Sequence, residues 1–278
     1  MLNIHIALDS TAGVAPELLA AHPNLHVVPL KVILGETEWN EPDLTNAELF
    51  RSAKEKGVHP RTSQPATGDF ARVFALAAGD QPIIMITLSG GVSGTANGAR
   101  VAAKECKGRE IYVVDSGTTA IGMVKLAEAA LNMAAEGQTA STIAERLQLM
   151  ANATRTLFIP DSLEYLYKGG RIGGAAALVG SILQLKPILK LNEGKVQVLD
   201  KVRTRPRAIA RMLEELDKCG SLEYIGVLHG EAPGIAGEMY HTVCQRYPGV
   251  PVSLSVIGPV LSAHLGPGVL GLIFQSKS

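Results

Sequence analysis

Pro82-Ile-Ile-Met-Ile-Thr-Leu88 is an unbroken run dominated by apolar residues; Ser89-Gly-Gly-Val-Ser-Gly-Thr95 follows it, and from Ala96 to Lys104 apolar residues recur at helical spacing. A strand that feeds a tight turn and then a helix is half of a βαβ unit. The same alternation recurs at residues 3–8, 26–34 and 110–114, short runs rich in Val and Ile with a Gly, Ser or Thr turn behind each. Together they predict a parallel sheet. Further helices are expected from Pro16-Glu-Leu-Leu19, from Asp69-Phe-Ala-Arg-Val-Phe74, over 121–136, and, capped by Thr139 and Ser141, to about Asn152. Pro16 suits a first helical turn, where its missing N–H is not needed.

From Thr156-Leu-Phe-Ile159 onward the pattern changes to a short helix, a Gly-rich knot over 169–174, and strand-like runs at 188–191 and 195–199 joined by Asn192-Glu-Gly194, which reads as a hairpin. Helices over 207–218 and 235–246 and strands over 224–228, 252–257 and 269–274 complete a mixed sheet. The expectation is an α/β protein of two α/β domains. Residues 1–155 form a parallel-sheet domain in three layers, and residues 156–278 a mixed-sheet domain.

The chain has 278 residues, 46% hydrophobic and 19% charged, with 26 Lys and Arg against 26 Asp and Glu, a net charge of zero. That composition excludes disorder and long-range attraction to polyanions. Aromatics are only 4%, so the stacking platforms of single-strand nucleic-acid binders have little to be built from. Three cysteines without C-x-x-C spacing argue against a disulfide framework and a zinc site, and fit a reducing cytoplasm. The longest apolar stretch, 175–191, is broken by Gln184, Lys186 and Pro187, so no membrane span is expected.

Four loops are candidates to carry chemistry. In Thr87-Leu-Ser-Gly-Gly-Val-Ser-Gly-Thr95, the hydroxyls of Ser89, Ser93 and Thr95 and the free amides near Gly94 converge at a positive helix terminus, a place that binds anions. It lacks the Gly-Lys-Ser/Thr ending of a phosphate-binding P-loop and the Gly spacing of a nucleophile elbow. An N-cap with a tight turn would look the same. Thr62-Ser-Gln-Pro65 puts the hydroxyls of Thr62 and Ser63 between Pro60 and Pro65, fit either for a carboxylate or phosphate or for a plain connection into the next helix. Ser262-Ala-His-Leu-Gly-Pro-Gly268 holds His264 in a loop shaped by Gly and Pro, where a lone histidine is more often structural than functional; a strand follows, so its G-x-G-x-x-G spacing is no dinucleotide site. Arg171, within Tyr165-Leu-Tyr-Lys-Gly-Gly-Arg171, and Arg203 and Arg205, within Lys201-Val-Arg-Thr-Arg-Pro-Arg207, are basic groups on loops, suited to pairing with an anion or to simple solvation.

Eight segments in register resemble the DegV family, bacterial fatty-acid-binding proteins that serve as carrier subunits of fatty acid kinase. They are Asp9-Ser-Thr-Ala12, Val28-Pro-Leu-Lys-Val32, Thr62-Ser-Gln-Pro65, Val92-Ser-Gly-Thr95, Val114-Asp-Ser116, Asp161-Ser-Leu-Glu-Tyr-Leu-Tyr-Lys-Gly-Gly-Arg-Ile172, Lys186-Pro-Ile-Leu189 and Ala263-His-Leu-Gly-Pro-Gly268. The resemblance implies two α/β domains with one fatty acid, such as palmitate, buried between them and its carboxylate held at Thr62 and Ser93. It sets His264 and Arg171 near the head group, with Ser63, Ser89, Gly94 and Thr95 in support. It implies no catalytic residue, no cofactor and no metal on this chain. The partner it implies is a separate ATP-dependent kinase subunit that forms an acyl phosphate; Arg203 and Arg205 are the expected docking residues. Ala96-Asn-Gly98, Ser262 and Leu265 depart from the family's usual residues, at places that bear on chain length and on the surroundings of His264. Burying roughly fourteen methylenes at about 0.8 kcal/mol each gives a gross term of about 11 kcal/mol before ordering costs, so affinity comes from the tail and orientation from the head group. The alternative reading is an enzyme, either a hydrolase using Ser93 with His264 or a subunit resembling a sugar kinase.

Overall fold

The computed structural model describes residues 4–77, 79–179 and 185–277. In chain order its first half runs β1 (His5–Asp9), α1 (Pro16–Ala21), β2 (Leu25–Val28), β3 (Lys31–Leu34), β4 (Thr37–Asn40), α2 (Asn46–Lys56), β5 (Arg61–Ser63), α3 (Thr67–Phe74), β6 (Ile83–Thr87), α4 (Thr95–Glu105), β7 (Ile111–Asp115), α5 (Ile121–Ala135) and α6 (Ala140–Ala153). The second half follows with β8 (Thr154–Ile159), α7 (Glu164–Lys168), β9 (Lys186–Asn192), β10 (Lys195–Val202), α8 (Arg205–Asp217), β11 (Leu222–His229), α9 (Pro233–Arg246), β12 (Val252–Val256), α10 (Pro259–Leu265) and β13 (Leu270–Ser276).

Strands β2-β1-β6-β7 make the expected parallel sheet. Every residue of β1 and β6 is buried, the mark of strands covered on both faces. Ile6, Leu8, Ile84 and Ile86 meet Met123, Leu126 and Ile143 of α5 and α6 on one side. Ala7, Ile83 and Met85 meet Phe70, Phe74, Ala99 and Ala102 of α3 and α4 on the other. The result is helix, sheet and helix in three layers.

The second sheet has the order β10-β9-β8-β13-β11-β12 and is antiparallel except for the β11–β12 pair, hence mixed. One face packs on α8 and α9 through Ile188, Leu272, Phe274, Met212 and Met239. The opposite face, with Phe158, Leu189 and Ile273, looks toward Ala120 and Val92 of the first half. Helix α10 crosses back and buries Val260 and Ala263 in the core of the first half.

Two readings are corrected here. The run at 26–34 is not one strand: Pro29 supplies no N–H to a ladder, and the chain turns there, so that β2 stays in the parallel sheet while β3 joins a small antiparallel sheet of order β4-β3-β5. His264 is not in a loop; it occupies the last turn of α10, and the chain leaves the helix at Gly266. Residues 180–184 of the apolar stretch at 175–191 lie outside the described residues. No described helix is long and apolar enough to cross a membrane.

Candidate functional site

A cavity of about 110 Å³ is lined from both halves of the chain. Its apolar wall includes Leu30, Leu88, Phe158, Leu166, Val196 and Leu261, and Thr62, Ser93, Gly94, Arg171 and His264 line it as well. A smaller space of about 40 Å³ adjoins it and shares Phe158, Leu261 and Leu265, extending the apolar enclosure. A cleft of about 630 Å³ is larger, but it is lined by Asp115, Arg155, Lys190 and the hairpin tip Asn192-Glu-Gly194, and contains none of the expected head-group residues.

Thr62 reaches the cavity because β5 is an extended edge strand, with Thr62 opposite Val32. Its Oγ1 lies 2.7 Å from His264 Nε2. Burial, with the charge of Arg171 next, holds the His264 ring down to about 4, so at neutral pH the imidazole is uncharged. A neutral ring carries one proton; on Nε2 it donates to Thr62 Oγ1 and leaves the Thr62 hydroxyl proton free for a ligand. His264 Nδ1 is buried without a partner among the described residues.

Ser93 stands on the turn before α4, whose first amides have no partners within the helix and present positive potential. Ser93 Oγ is 2.8 Å from Thr95 Oγ1 and accepts from Thr95 N at 3.3 Å. Arg171 is pinned by donating from Nε to the Val92 carbonyl at 3.2 Å and from Nη1 to the Gly169 carbonyl at 2.7 Å, which sets a cation beside the same turn. Two hydroxyls, one guanidinium and a helix N-terminus at the end of an apolar enclosure suit an amphiphile with an anionic head.

The other expected residues stand elsewhere. Ser89 Oγ donates to the Gly194 carbonyl at 3.0 Å and so ties the turn to the hairpin tip. That approach is close: a Cβ on Gly91 would lie 2.2 Å from Gly194 O. Ser63 is exposed and donates to the Gln64 carbonyl. Thr95 is fully buried behind Ser93. Arg205 heads α8, donates to the Gly268 carbonyl and pairs with Asp161 at 3.4 Å, while Arg203 lines a separate groove with Lys201 and Arg207. The structure therefore brings Thr62, Ser93, Gly94, Arg171 and His264 together and leaves Ser63, Ser89, Thr95, Arg203 and Arg205 off the cavity lining. Gln64 is a lining residue that the sequence reading does not single out: it lines the cavity, and its Oε1 packs over Gly94, 2.0 Å from where a Cβ would stand, so a side chain there would displace the Gln64 amide. Its place inside Thr62-Ser-Gln-Pro65 was the available signal.

The family model described as "Uncharacterised protein, DegV family" matches residues 3–277. A DegV domain-containing protein from Listeria innocua is 34% identical over 281 residues, covering 99% of each chain. The solved structure of a DegV family protein from Thermus thermophilus, described as fatty acid binding, is similar with a TM-score of 0.89 at 31% identity over 99% of both chains. So is that of DegV from Bacillus subtilis, described as a fatty acid binding protein, with a TM-score of 0.89 at 30% identity over 100% of both.

Proposed function

The chain belongs to the DegV family, and from that premise we propose that it binds one long-chain fatty acid in the cavity, with the carboxylate held by Thr62 and Ser93. The observation that carries this reading is that Thr62, Ser93, Arg171 and His264 line the same cavity as Leu30, Leu88, Phe158, Leu166, Val196 and Leu261. A carboxylate buried there meets hydroxyl donors and a guanidinium, and the methylenes leave water. His264 orients Thr62. Titration with a long-chain fatty acid and with its methyl ester tests it: the acid binds much more tightly, and equal binding of the two refutes a carboxylate site.

The same reading has the bound acid phosphorylated by a separate ATP-dependent kinase that docks over the head-group end. Support comes from the resemblance in the eight segments and from the exposed Arg171 beside the Ser93 turn. The alternative of a hydrolase is disfavoured by the pairing of the hydroxyls. Ser93 is bonded to Thr95 and His264 to Thr62, so Ser93 lacks the base a nucleophile needs.

A further inference from the structure

Asp9 ends β1 and Glu41 opens the 3-10 turn after β4; both carboxylates are buried, although neither lines the cavity. Their partners are hydroxyls and backbone amides. Asp9 Oδ2 accepts from Leu88 N at 2.6 Å, and its Oδ1 accepts from Thr11 Oγ1 at 2.5 Å. Glu41 Oε1 accepts from Val260 N at 3.0 Å, and Oε2 accepts from Ser10 Oγ at 2.6 Å. Ser10 Oγ in turn accepts from Leu30 N at 2.9 Å.

The three amides share one property: Leu30, Leu88 and Val260 all line the cavity. They stand on three different walls, the link between β2 and β3, the turn that leads to Ser93, and α10 one helical turn before His264. Glu41 reaches α10 because residue 258 is glycine; a Cβ there would lie 2.5 Å from Oε1. Asn46 stitches the same segment by donating from Nδ2 to the Ile257 carbonyl at 2.8 Å. Burying carboxylates is costly, and apolar contacts would join these walls at lower cost, so the polar hub contributes directional geometry that apolar packing lacks.

We propose that Asp9, Ser10 and Glu41 are positioning residues for the fatty-acid cavity, a buried hub that holds one residue on each of three walls and sets the seat of α10, and with it the contact of His264 with Thr62. The inference rests on the fatty-acid reading for its ligand, but not for its geometry. Burial raises Glu41 to about 7, with the nearby Asp9 adding to the rise, and burial raises Asp9 to about 6. Ionised Glu41 accepts from both Val260 N and Ser10 Oγ. Protonated, it carries a donor on one of these oxygens, and the bond made there, with Val260 N or with Ser10 Oγ, rearranges. Asp9 is the charged group that faces Glu41, and Arg171 and His59 are those that face His264.

The test is Glu41→Gln, which keeps the shape and fixes a donor where the carboxylate accepts. In ligand-free protein labelled with 15N, the side-chain signals of His264 are followed from about pH 5 to about pH 8. The wild type should show a step near pH 7 that Glu41→Gln lacks. Binding is measured for a long-chain fatty acid and for the alcohol of equal length; the variant should lose roughly tenfold for the acid and less for the alcohol. Where Glu41→Gln does not fold, Ser10→Ala, which keeps Glu41 titratable but removes its link to Leu30, repeats the comparison of acid and alcohol. A wild type without the step, a Glu41→Gln protein that keeps it, or equal losses for acid and alcohol would overturn the hub's role. A wild type that binds no fatty acid refutes the reading of the cavity, and the ligand-free pH step still decides the hub.

Discussion

Thr62 and His264, 202 residues apart in the chain, share a 2.7 Å hydrogen bond. One side chain comes from the edge strand β5 and the other from the last turn of α10, so the bond forms only when a helix from the end of the chain is seated on the first half. This part of the cavity lining is thus a product of tertiary packing.

Replacing Thr62 by Val and Ser93 by Ala should weaken binding of the acid far more than that of a hydrocarbon of equal length, by about 1–3 kcal/mol, because a buried carboxylate loses its donors. Parallel titrations of the two ligands check this. Equal losses would place the head group elsewhere.

The pH dependence has a definite sign. Folding raises Glu41 from its ordinary 4.5 to about 7, so its contribution to stability is complete below pH 4.5 and is lost as pH rises through 7. Burial lowers His264 from 6.5 to about 4, and its contribution runs the other way, lost as pH falls through that window. The difference between wild type and Glu41→Gln isolates the first effect. The variant should gain on the wild type between about pH 5 and about pH 8, by on the order of 3 kcal/mol at most. Denaturant midpoints at both pH values read it, and an unchanged difference contradicts the account.

Two glycines should respond oppositely to alanine. In α9, Gly237 has nothing within 4 Å of a Cβ, and Gly237→Ala should stabilise by about 0.5–1 kcal/mol through helix propensity. At Gly91 the Cβ would meet the Gly194 backbone at 2.2 Å, and Gly91→Ala should destabilise by about 1–3 kcal/mol. Thermal unfolding of both variants decides whether the hairpin tip is seated on the turn before Ser93.

Arg203 and Arg205 are separable. Arg205→Ala removes bonds to the Gly268 carbonyl and Asp161 and should cost about 1 kcal/mol of stability, whereas Arg203→Ala should cost almost none. If Arg203 steers a kinase, its loss slows acyl-phosphate formation by a cognate kinase with fatty-acid affinity unchanged. An unchanged rate would mean that Arg203 is a solvated charge.

What the sequence makes legible follows from which signals are local. β1 and β6 are readable because a strand buried on both faces must be apolar at every position, and the hairpin at Asn192-Glu-Gly194 because its turn residues announce it. The β3-β4-β5 sheet and α2 are not readable in that way: Arg61-Thr-Ser63 is a strand only by virtue of its pairing with β3, and Pro29 hides a break inside an apolar run. Gly266-Pro-Gly268 reads locally as a loop around His264, yet the helix runs from Pro259 to Leu265 and ends only at Gly266. Glu41, in a short Glu-Pro turn, has no sequence mark of burial; its role depends on Val260, which lies 219 residues away.

The central claim is that the cavity holds one fatty acid, and mass spectrometry of never-delipidated protein purified from a bacterial host tests it most directly. Native spectra and lipid extraction should both give one long-chain acyl group per chain, released as the free acid. The absence of any acyl chain at a substantial fraction of one per molecule would contradict the account.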